Sequence, residues 1–141
     1  MKKNESITHL MSDDLITANK NDSFSKVKSL MEEKKIHHIP VVDGEKLIGI
    51  ISRTDILQYS HSKAFGGDDS FADASLDQNV SIEKLMTKTP KTIKSSDSIK
   101  HAVEILNSFS FNSIPVVSSE NSNLVGIVTT KDLMNYLVNQ Y

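Results

Sequence analysis

Two short motifs in this chain pair a hydroxyl with a carboxylate three residues later. They are Ser52-x-x-Asp55 and Thr129-x-x-Asp132, and each follows a run of apolar residues that predicts a strand. At the start of a helix this spacing favours a capping box, in which the two side chains and the backbone exchange hydrogen bonds. The same place also suits an anion, and a carboxylate there can accept hydrogen bonds from a ribose diol. The motifs therefore allow two interpretations: they cap a helix only, or they cap a helix and also bind a ligand.

The two motifs belong to an internal repeat that covers most of the chain. Ile39–Val42 returns as Ile114–Val117, and Leu47–Asp55 returns as Leu124–Asp132. The offset between the copies is 75 residues at the first pair (114 − 39) and 77 at the second (132 − 55). Two copies are too few for a solenoid, so the repeat indicates two similar units packed face to face.

Each half of the sequence predicts the order strand, helix, strand, strand, helix. Aspartate stands at the expected N-cap of the first helix in each half, where a short side chain can accept hydrogen bonds from the first turn. These caps are Asp22 and Asp97; strands are expected over Leu15–Ala18, His38–Val42, Leu47–Ser52, Lys91–Lys94 and Leu124–Thr129, and the final helices over Thr54–Tyr59 and Lys131–Tyr141.

Glycines interrupt this pattern in one turn and inside two strands. Gly44 follows a strand in an Asp-Gly turn and is expected to adopt a positive φ. Gly49 and Gly126 lie inside strands at equivalent places of the repeat. Such a glycine indicates either a close approach of another group to the backbone or a bend in the strand.

Composition limits the function classes. The 141 residues carry a net charge of −2, which does not favour a nucleic-acid binder, and they include no cysteine for a disulfide or thiolate metal site. No apolar run approaches the ~20 residues needed to span a bilayer. The first residues also lack the apolar core of a signal peptide. We therefore expect a soluble cytoplasmic protein without nucleic-acid or membrane partners.

A long polar stretch separates the two halves. It contains Gly66 and Gly67 and several aspartates, among them Asp68, Asp69 and Asp73. Carboxylates can bind a hard cation, but the spacing matches no known calcium loop. An acidic solvated linker is the favoured interpretation.

From about Ile7 to Tyr141, the sequence resembles a tandem pair of cystathionine-β-synthase (CBS) domains. The resemblance rests on the two IPVV segments, the LIGII and LVGIV strands, the Ile-x-x-Leu-Met lead-ins and the closing Ser/Thr-x-x-Asp motifs. It implies an α/β (α+β) fold of two βαββα units that pack through their sheets with pseudo-twofold symmetry. The first domain with its lead-in would cover 1–60, the linker 61–79 and the second domain 80–141.

The resemblance also implies a function. Proteins of this family bind adenosine compounds in clefts between the two repeats, so AMP, ADP or ATP is the expected ligand of a regulatory module. The resemblance further implies a homodimer, with an enzyme or transporter as a protein regulated in trans. It implies neither catalytic residues nor a catalytic cofactor.

The site residues follow from the same resemblance, position by position. Asp55 and Asp132 match the ribose-binding acid, and Ser52 and Thr129 match the hydroxyl that contacts phosphate. The remaining positions expected to line the clefts are Arg53, Thr54, Thr130 and Lys131 after the hydroxyls, Ile36, His37, His38, Phe111, Asn112 and Ser113 before the IPVV segments, and Ser6, Ile7, Val80 and Ile82 in the lead-ins.

The two clefts are expected to differ. His38 matches a position that is often basic near phosphate in the family, whereas its counterpart is Ser113. Phosphate is accordingly expected to bind more tightly beside Asp55, where Arg53 also lies. Adjacent histidines on a strand point to opposite faces, so His37 and His38 are not expected to meet one ligand in the same way, and no metal site is expected.

Other functions stay open. The clefts can be degenerate, which would leave an interaction or scaffold dimer, or the ligand can be S-adenosylmethionine, NAD or a divalent cation. An enzyme is disfavoured, because the sequence carries no P-loop, G-x-S-x-G, HExxH or cysteine nucleophile.

Overall fold

The structure, a computed structural model, describes residues 5–11, 15–63, 81–109 and 112–141, with the side chains of the second range described up to Tyr59. The expected linker over 61–79, including Asp68, Asp69 and Asp73, lies outside the described residues except for its first three positions. Within these limits the chain has two sheets and five α-helices, which confirms the mixed α+β class.

The elements alternate as the repeat predicts. A 3₁₀ helix, Ile7–His9, comes first, and the elements after it are β1 (Ala18–Asn19), α1 (Phe24–Lys34), β2 (His38–Asp43), β3 (Lys46–Ser52), α2 (Arg53–Lys63), α3 (Ile82–Leu85), β4 (Thr87–Lys88), β5 (Ile93–Lys94), α4 (Ile99–Ser108), β6 (Ser113–Val117), β7 (Leu124–Thr129) and α5 (Thr130–Val138). Among the described residues, no helix has both the length and the apolar character that a membrane crossing needs.

The chain divides into two compact units, which we name after their aspartates. The Asp55 unit comprises Ile16–Gly44 and Ile48–Thr89. Its sheet has the order β1-β2-β3-β4, in which β1 runs parallel to β2 and β3 runs antiparallel to β4. Its core is formed by Ala18, Phe24, Val27, Met31, Ile39, Val41, Ile51, Ile56, Ile82 and Met86.

The Asp132 unit comprises Met1–Leu15, Glu45–Leu47 and Pro90–Tyr141. Its sheet has the order β5-β6-β7, with β5 parallel to β6 and β6 antiparallel to β7. Its core is formed by Ile7, Ile93, Ile99, Ala102, Ile105, Ile114, Val116, Val128 and Leu133.

Each unit takes its lead-in from the other repeat. Ile7 precedes the first repeat but is fully buried in the core of the Asp132 unit. Ile82 precedes the second repeat but is fully buried in the core of the Asp55 unit. A buried isoleucine side chain contributes about 1.5–3 kcal/mol through removal of its apolar surface from water. Each compact unit is therefore assembled from residues of both repeats.

The first helix of each half begins one residue later than the sequence predicts. Ser23 and Ser98 are the N-caps, and their hydroxyls accept hydrogen bonds from the amides of Lys26 and His101, both at 3.2 Å. The prediction of aspartate caps was therefore wrong. Asp22 and Asp97 instead accept hydrogen bonds, both of 2.8 Å, from backbone amides three residues earlier and close the turn that precedes each helix.

The predicted bounds of the strands and final helices are right in some places and wrong in others. β7 covers Leu124–Thr129 as predicted, whereas β1 is the short pair Ala18–Asn19. The final helices begin at Arg53 and Thr130, directly after the hydroxyl residue that ends each strand. No loop thus separates the strand from the helix at these two junctions.

The two glycines of the first repeat, Gly44 and Gly49, meet different structural requirements. Gly44 has a φ of 66° in its turn, as expected. At Gly49, an added Cβ would lie 2.8 Å from Met86 Cγ and 2.9 Å from the carbonyl oxygen of Thr87. The close approach at Gly49 therefore comes from the chain itself, at β4 and the residue before it.

We predict that Gly49→Ala destabilises the protein by about 1–3 kcal/mol, because the methyl group would overlap a backbone carbonyl that cannot move without disturbing β4. Gly44→Asn is the control, since nothing lies within 4 Å of an added Cβ there and asparagine tolerates a positive φ. Urea denaturation of both variants measures the difference. A Gly49→Ala protein as stable as the wild type would contradict this packing.

Candidate functional site

The strand-to-helix junction is built the same way in both units. In the Asp55 unit, the amide of Ser52 donates to Asp55 Oδ2 at 3.0 Å, and the amide of Asp55 donates to Ser52 Oγ at 3.1 Å. In the Asp132 unit, the corresponding bonds between Thr129 and Asp132 are 2.9 and 3.1 Å long. The capping box predicted from the sequence is confirmed in both copies.

Capping leaves part of each carboxylate available. Oδ2 of Asp55 and Oδ2 of Asp132 accept the amide of their N-cap residue, and among the described residues Oδ1 of neither group accepts a hydrogen bond. The bond to Oδ2 fixes the orientation of the side chain. Both carboxylates are half-buried, so each presents a held acceptor at the first turn of its helix.

A backbone hydrogen bond brings the segment before the central strand to the helix start. The amide of Arg53 donates to the carbonyl of His37 at 2.8 Å in one unit, and the amide of Thr130 donates to the carbonyl of Asn112 at 2.9 Å in the other. The hydroxyl of Thr130 also donates to the Asn112 carbonyl, at 3.3 Å. These bonds therefore bring together two of the three groups of positions expected for each site, namely the residues after the hydroxyl and the residues before the IPVV segment. The third group is the lead-in.

The paired histidines differ in exposure. His37 is exposed and precedes β2, whereas His38 is the first residue of β2 and is half-buried. Burial lowers the pKa of His38, the charge of His37 lowers it further, and the carboxylate of Asp55 raises it. Of the two histidines, His38 is thus the one whose pKa responds to the Asp55 carboxylate.

The counterpart of His38 is a buried hydroxyl. Ser113 is 7% exposed and pairs with Thr129 across β6 and β7, which puts both side chains on one face of the sheet. No hydrogen bond to the Ser113 hydroxyl occurs within the described part of the chain. A buried polar group without a partner costs about 1–3 kcal/mol, so this hydroxyl gains from any polar atom that reaches it.

The lead-in residues serve mainly the cores. Ile7 and Ile82 are fully buried there, so only their backbones can border a ligand. Ser6 caps the first 3₁₀ helix through a 3.2 Å bond from the amide of Thr8, and Ile36 packs against the core of the Asp55 unit. The two other expected residues, Val80 and Phe111, lie outside the described residues.

The remaining expected residues are exposed at the helix starts. Arg53 and Thr54 open α2, and Thr130 and Lys131 open α5. The first and third amides of each helix already donate to groups of the chain, so within the described residues the second amide, of Thr54 or Lys131, is the one left to favour an anion. No group of three or more metal-ligating side chains occurs among the residues that the structure describes.

One feature of the Asp132 unit was missed from the sequence. Tyr136, one turn after Asp132, donates its hydroxyl to a carboxylate oxygen of Glu5, and this bond raises the pKa of Tyr136. The other oxygen of Glu5 lies 3.3 Å from His9 Nδ1. The repeat held a signal for the tyrosine, because Tyr59 stands one turn after Asp55 in the same way.

Comparison with known proteins identifies the repeat. The family model for the CBS domain matches the chain twice, over residues 7–62 and 82–139. Both matches include the Ser/Thr-x-x-Asp junction and the strand before it. The resemblance inferred from the two IPVV segments is thereby confirmed.

Curated relatives contain this unit as a part of longer chains. The chain is 32% identical over 120 residues to inosine-5'-monophosphate dehydrogenase of Korarchaeum cryptofilum, of which it covers 22%. It spans 22% to 48% of the length of the first curated relatives that it matches.

Solved structures match over nearly the whole chain. CBSX2 of Arabidopsis thaliana in complex with AMP has a TM-score of 0.79 at 22% identity, covering 96% of this chain and 98% of its own. The CBS domain pair of protein MJ0100, in complex with 5'-methylthioadenosine and S-adenosyl-L-methionine, has a TM-score of 0.77 at 24% identity. The match covers 98% of this chain and 99% of the MJ0100 chain. These likenesses establish the fold.

We predict that His38 makes the protein less stable in mild acid. Because burial lowers its pKa in the folded protein below the ordinary 6.5, the unfolded chain binds a proton more readily. The contribution of His38 to the free energy of unfolding is therefore complete above pH 6.5 and is lost as the pH falls through the lowered pKa.

Urea denaturation between about pH 8 and about pH 5 measures this effect, and His38→Gln is expected to lose less stability than the wild type over that interval. His37→Gln is the control at the exposed neighbour, and its free energy of unfolding should fall with pH nearly as much as that of the wild type. If the free energy of unfolding falls with pH equally in the wild type and in His38→Gln, the environment of His38 does not oppose its protonation.

Proposed function

Since the chain belongs to the CBS domain family, we propose that it is a regulatory module that binds an adenosine nucleotide, AMP, ADP or ATP, at its Ser/Thr-x-x-Asp sites. The observation that carries the proposal is the carboxylate of Asp55, which is fixed through one oxygen and has the other available. A ribose presents two adjacent hydroxyls, both of which can donate to such an acceptor. Capping and ligand binding then use different atoms of the same side chain.

The surroundings of Asp55 suit the rest of a nucleotide. The amide of Thr54 in the first turn of α2, the exposed side chain of Arg53 and the half-buried His38 can donate to phosphate. The backbone at Ile82, in the core of the same unit, is the part of the lead-in that can border the base. Base selectivity would then come from backbone groups that read the edge of the purine.

The relatives support adenosine chemistry over other chemistry. CBSX2 was crystallised with AMP, and the MJ0100 pair with two sulfur-containing adenosyl compounds. The matched dehydrogenase is an enzyme, but this chain covers only 22% of it. We therefore propose binding without catalysis, with an enzyme or transporter regulated in trans as the partner.

An interaction module is the second candidate. Met134 and Val138 of α5 are 57% and 69% exposed, and Tyr141 follows them at the end of the chain. Apolar side chains on one helix favour a partner surface, and a twofold homodimer is the commonest closed solution. If dimer formation alone were the function, light scattering would give twice the 15.7 kDa of one chain, and adenosine nucleotides would have no effect.

A thermal-shift series with AMP, ADP and ATP tests the proposed function. A ligand that binds only the folded state adds roughly 2.7 kcal/mol at ~100 times its Kd, which corresponds to a rise of roughly 5–11 °C in Tm for a chain of this size. Guanosine and cytidine nucleotides are the controls and should raise Tm less. An unchanged Tm across millimolar adenosine nucleotides, S-adenosylmethionine and NAD would refute adenosine sensing.

We predict that Asp55→Asn weakens ADP binding by roughly ten- to hundred-fold, because hydrogen bonds to an ionised acceptor contribute about 1.5–3 kcal/mol. The fold should lose only about 1 kcal/mol from the weaker cap. Calorimetric titration of the variant with ADP measures the affinity.

Ser23→Ala is the matched control for that variant. It removes a cap of similar strength from α1, where Ser23 accepts the amide of Lys26, and it lies away from the Asp55 motif in the sequence. We expect a comparable loss of stability with unchanged ADP affinity. Asp55→Asn with wild-type affinity would mean that Asp55 only caps its helix.

A further inference from the structure

The lead-in of the first repeat, residues 5–11, pairs with the start of α4 in the Asp132 unit, and we call it the strap. The amide of Ile7 donates to the carbonyl of Asp97 at 2.9 Å, and the amide of Ile99 donates to the carbonyl of Glu5 at 2.8 Å. Within the described part of the chain, these are the backbone hydrogen bonds between the strap and the rest of its unit. A segment with so few backbone bonds can open locally while the sheet of its unit stays folded.

Apolar burial favours the closed strap. Ile7 is fully buried, and Leu10 and Met11 pack against the core of the Asp132 unit. Because opening would return these side chains to water, the closed state is the more stable one. How often the strap opens then depends on the contacts that hold its polar end.

A side-chain hydrogen bond joins that polar end to α5. The hydroxyl of Tyr136 donates to one carboxylate oxygen of Glu5, and the other oxygen lies 3.3 Å from Nδ1 of His9, which belongs to the strap itself. The ring of Tyr136 packs against the core of the unit, so the position of the donor is fixed. A hydrogen bond to an ionised acceptor is stronger than one between neutral groups, so this bond is suited to holding the strap closed.

The first half of the sequence repeats the tyrosine of this bond, whereas the lead-in of the second half does not repeat the carboxylate. The offset of 77 residues puts Tyr59 at the position of Tyr136 (136 − 77), and the offset of 75 puts Val80 at the position of Glu5 (5 + 75). A valine side chain has no hydrogen-bond acceptor. The fold of the repeat therefore does not require a tyrosine–carboxylate pair at this place.

The helix that carries Tyr136 is itself fixed at its start. Reciprocal hydrogen bonds between Thr129 and Asp132 hold the first turn of α5 to the end of β7, and Tyr136 lies one turn later on this nine-residue helix. A packed helix and the hydrogen bonds at its ends can carry a displacement from one element to another. The strap and the Thr129–Asp132 junction are thus connected through α5.

We propose that the strap opens locally in the folded protein, that the bond between Tyr136 and Glu5 is its latch, and that α5 couples the latch to the Thr129–Asp132 junction. In the open state Ile7 leaves the core, and the first amide of α4, that of Ile99, loses its partner. This conformational device does not depend on which ligand the protein binds.

Native-state hydrogen exchange, followed by NMR on the full chain, tests the opening without any variant. The amides of Ile7 and Ile99 report on the strap, and the slowest amides of β6 and β7 report on unfolding of the whole unit. We expect Ile7 and Ile99 to exchange at least about ten-fold faster than those sheet amides and to respond little to low urea, because local opening exposes little surface. Equal rates with an equal urea dependence would overturn local opening of the strap.

Tyr136→Phe tests the latch, because it removes the hydroxyl and keeps the ring. We expect exchange at Ile7 and Ile99 to become roughly ten-fold faster, as the loss of a hydrogen bond to an ionised group predicts. Tyr59→Phe is the matched control in the other unit and should leave both rates within about two-fold of the wild type. Unchanged rates in Tyr136→Phe, or the same acceleration in both variants, would overturn the latch.

Glu5→Gln shows whether Tyr136 acts through the hydrogen bond or through packing. The variant keeps an acceptor but removes its charge, so Tyr136→Phe should accelerate exchange at Ile7 less in the Glu5→Gln background than in the wild type. This comparison isolates the pair, since the other contacts of Glu5 are the same on both sides of it. An equal acceleration in both backgrounds would mean that Tyr136 acts by packing, and the latch would be wrong.

Thr129→Ala tests the coupling through α5. Loss of its cap loosens the first turn of the helix, so exchange at Ile7 and Ile99 should become about two-fold faster or more. Ser52→Ala removes the equivalent cap of α2 and should leave these two amides unchanged. If the Thr129→Ala and Ser52→Ala proteins have the same rates at Ile7 and Ile99, α5 does not couple the junction to the strap.

Discussion

Reciprocal hydrogen bonds between Ser52 and Asp55, and between Thr129 and Asp132, join each central strand directly to the helix that follows it. Since the residue that ends the strand also caps the helix, the carboxylate is held at the helix start with one oxygen bound. Among the described residues, the same geometry leaves the amide of the second helical residue, Thr54 or Lys131, for an anion. Stability and ligand binding therefore depend on one small set of atoms, which is why capping does not argue against a binding function.

The exchange of lead-ins explains why the motif occurs twice in one chain. The core of the Asp55 unit includes Ile82 from before the second repeat, and the core of the Asp132 unit includes Ile7 from before the first. A single repeat would lack this buried side chain and the backbone next to it. Each compact unit thus combines a junction from one repeat with a lead-in from the other.

Sequence patterns predicted the bounds of β7 at Leu124–Thr129, because apolar periodicity and turn residues act locally. The repeat was visible directly in the sequence, and the resemblance of its motifs to a known family predicted the family. The N-cap at Ser98 was missed, since Asp97 and Ser98 can both cap and a turn outside the helix decides between them. The bond from Tyr136 to Glu5 spans 131 residues and depends on tertiary packing. The burial of Ser113 likewise follows from strand pairing, which residue type alone does not reveal.

Binding of an adenosine nucleotide at the Asp55 junction is tested most directly by NMR, with AMP titrated into the isotope-labelled chain. The amides of Ser52, Arg53, Thr54 and Asp55 should shift progressively and saturate, because the bound ribose and phosphate contact this first turn. Saturating shifts confined to other parts of the chain, or no shifts at millimolar AMP, would contradict the site and with it the proposed mode of regulation.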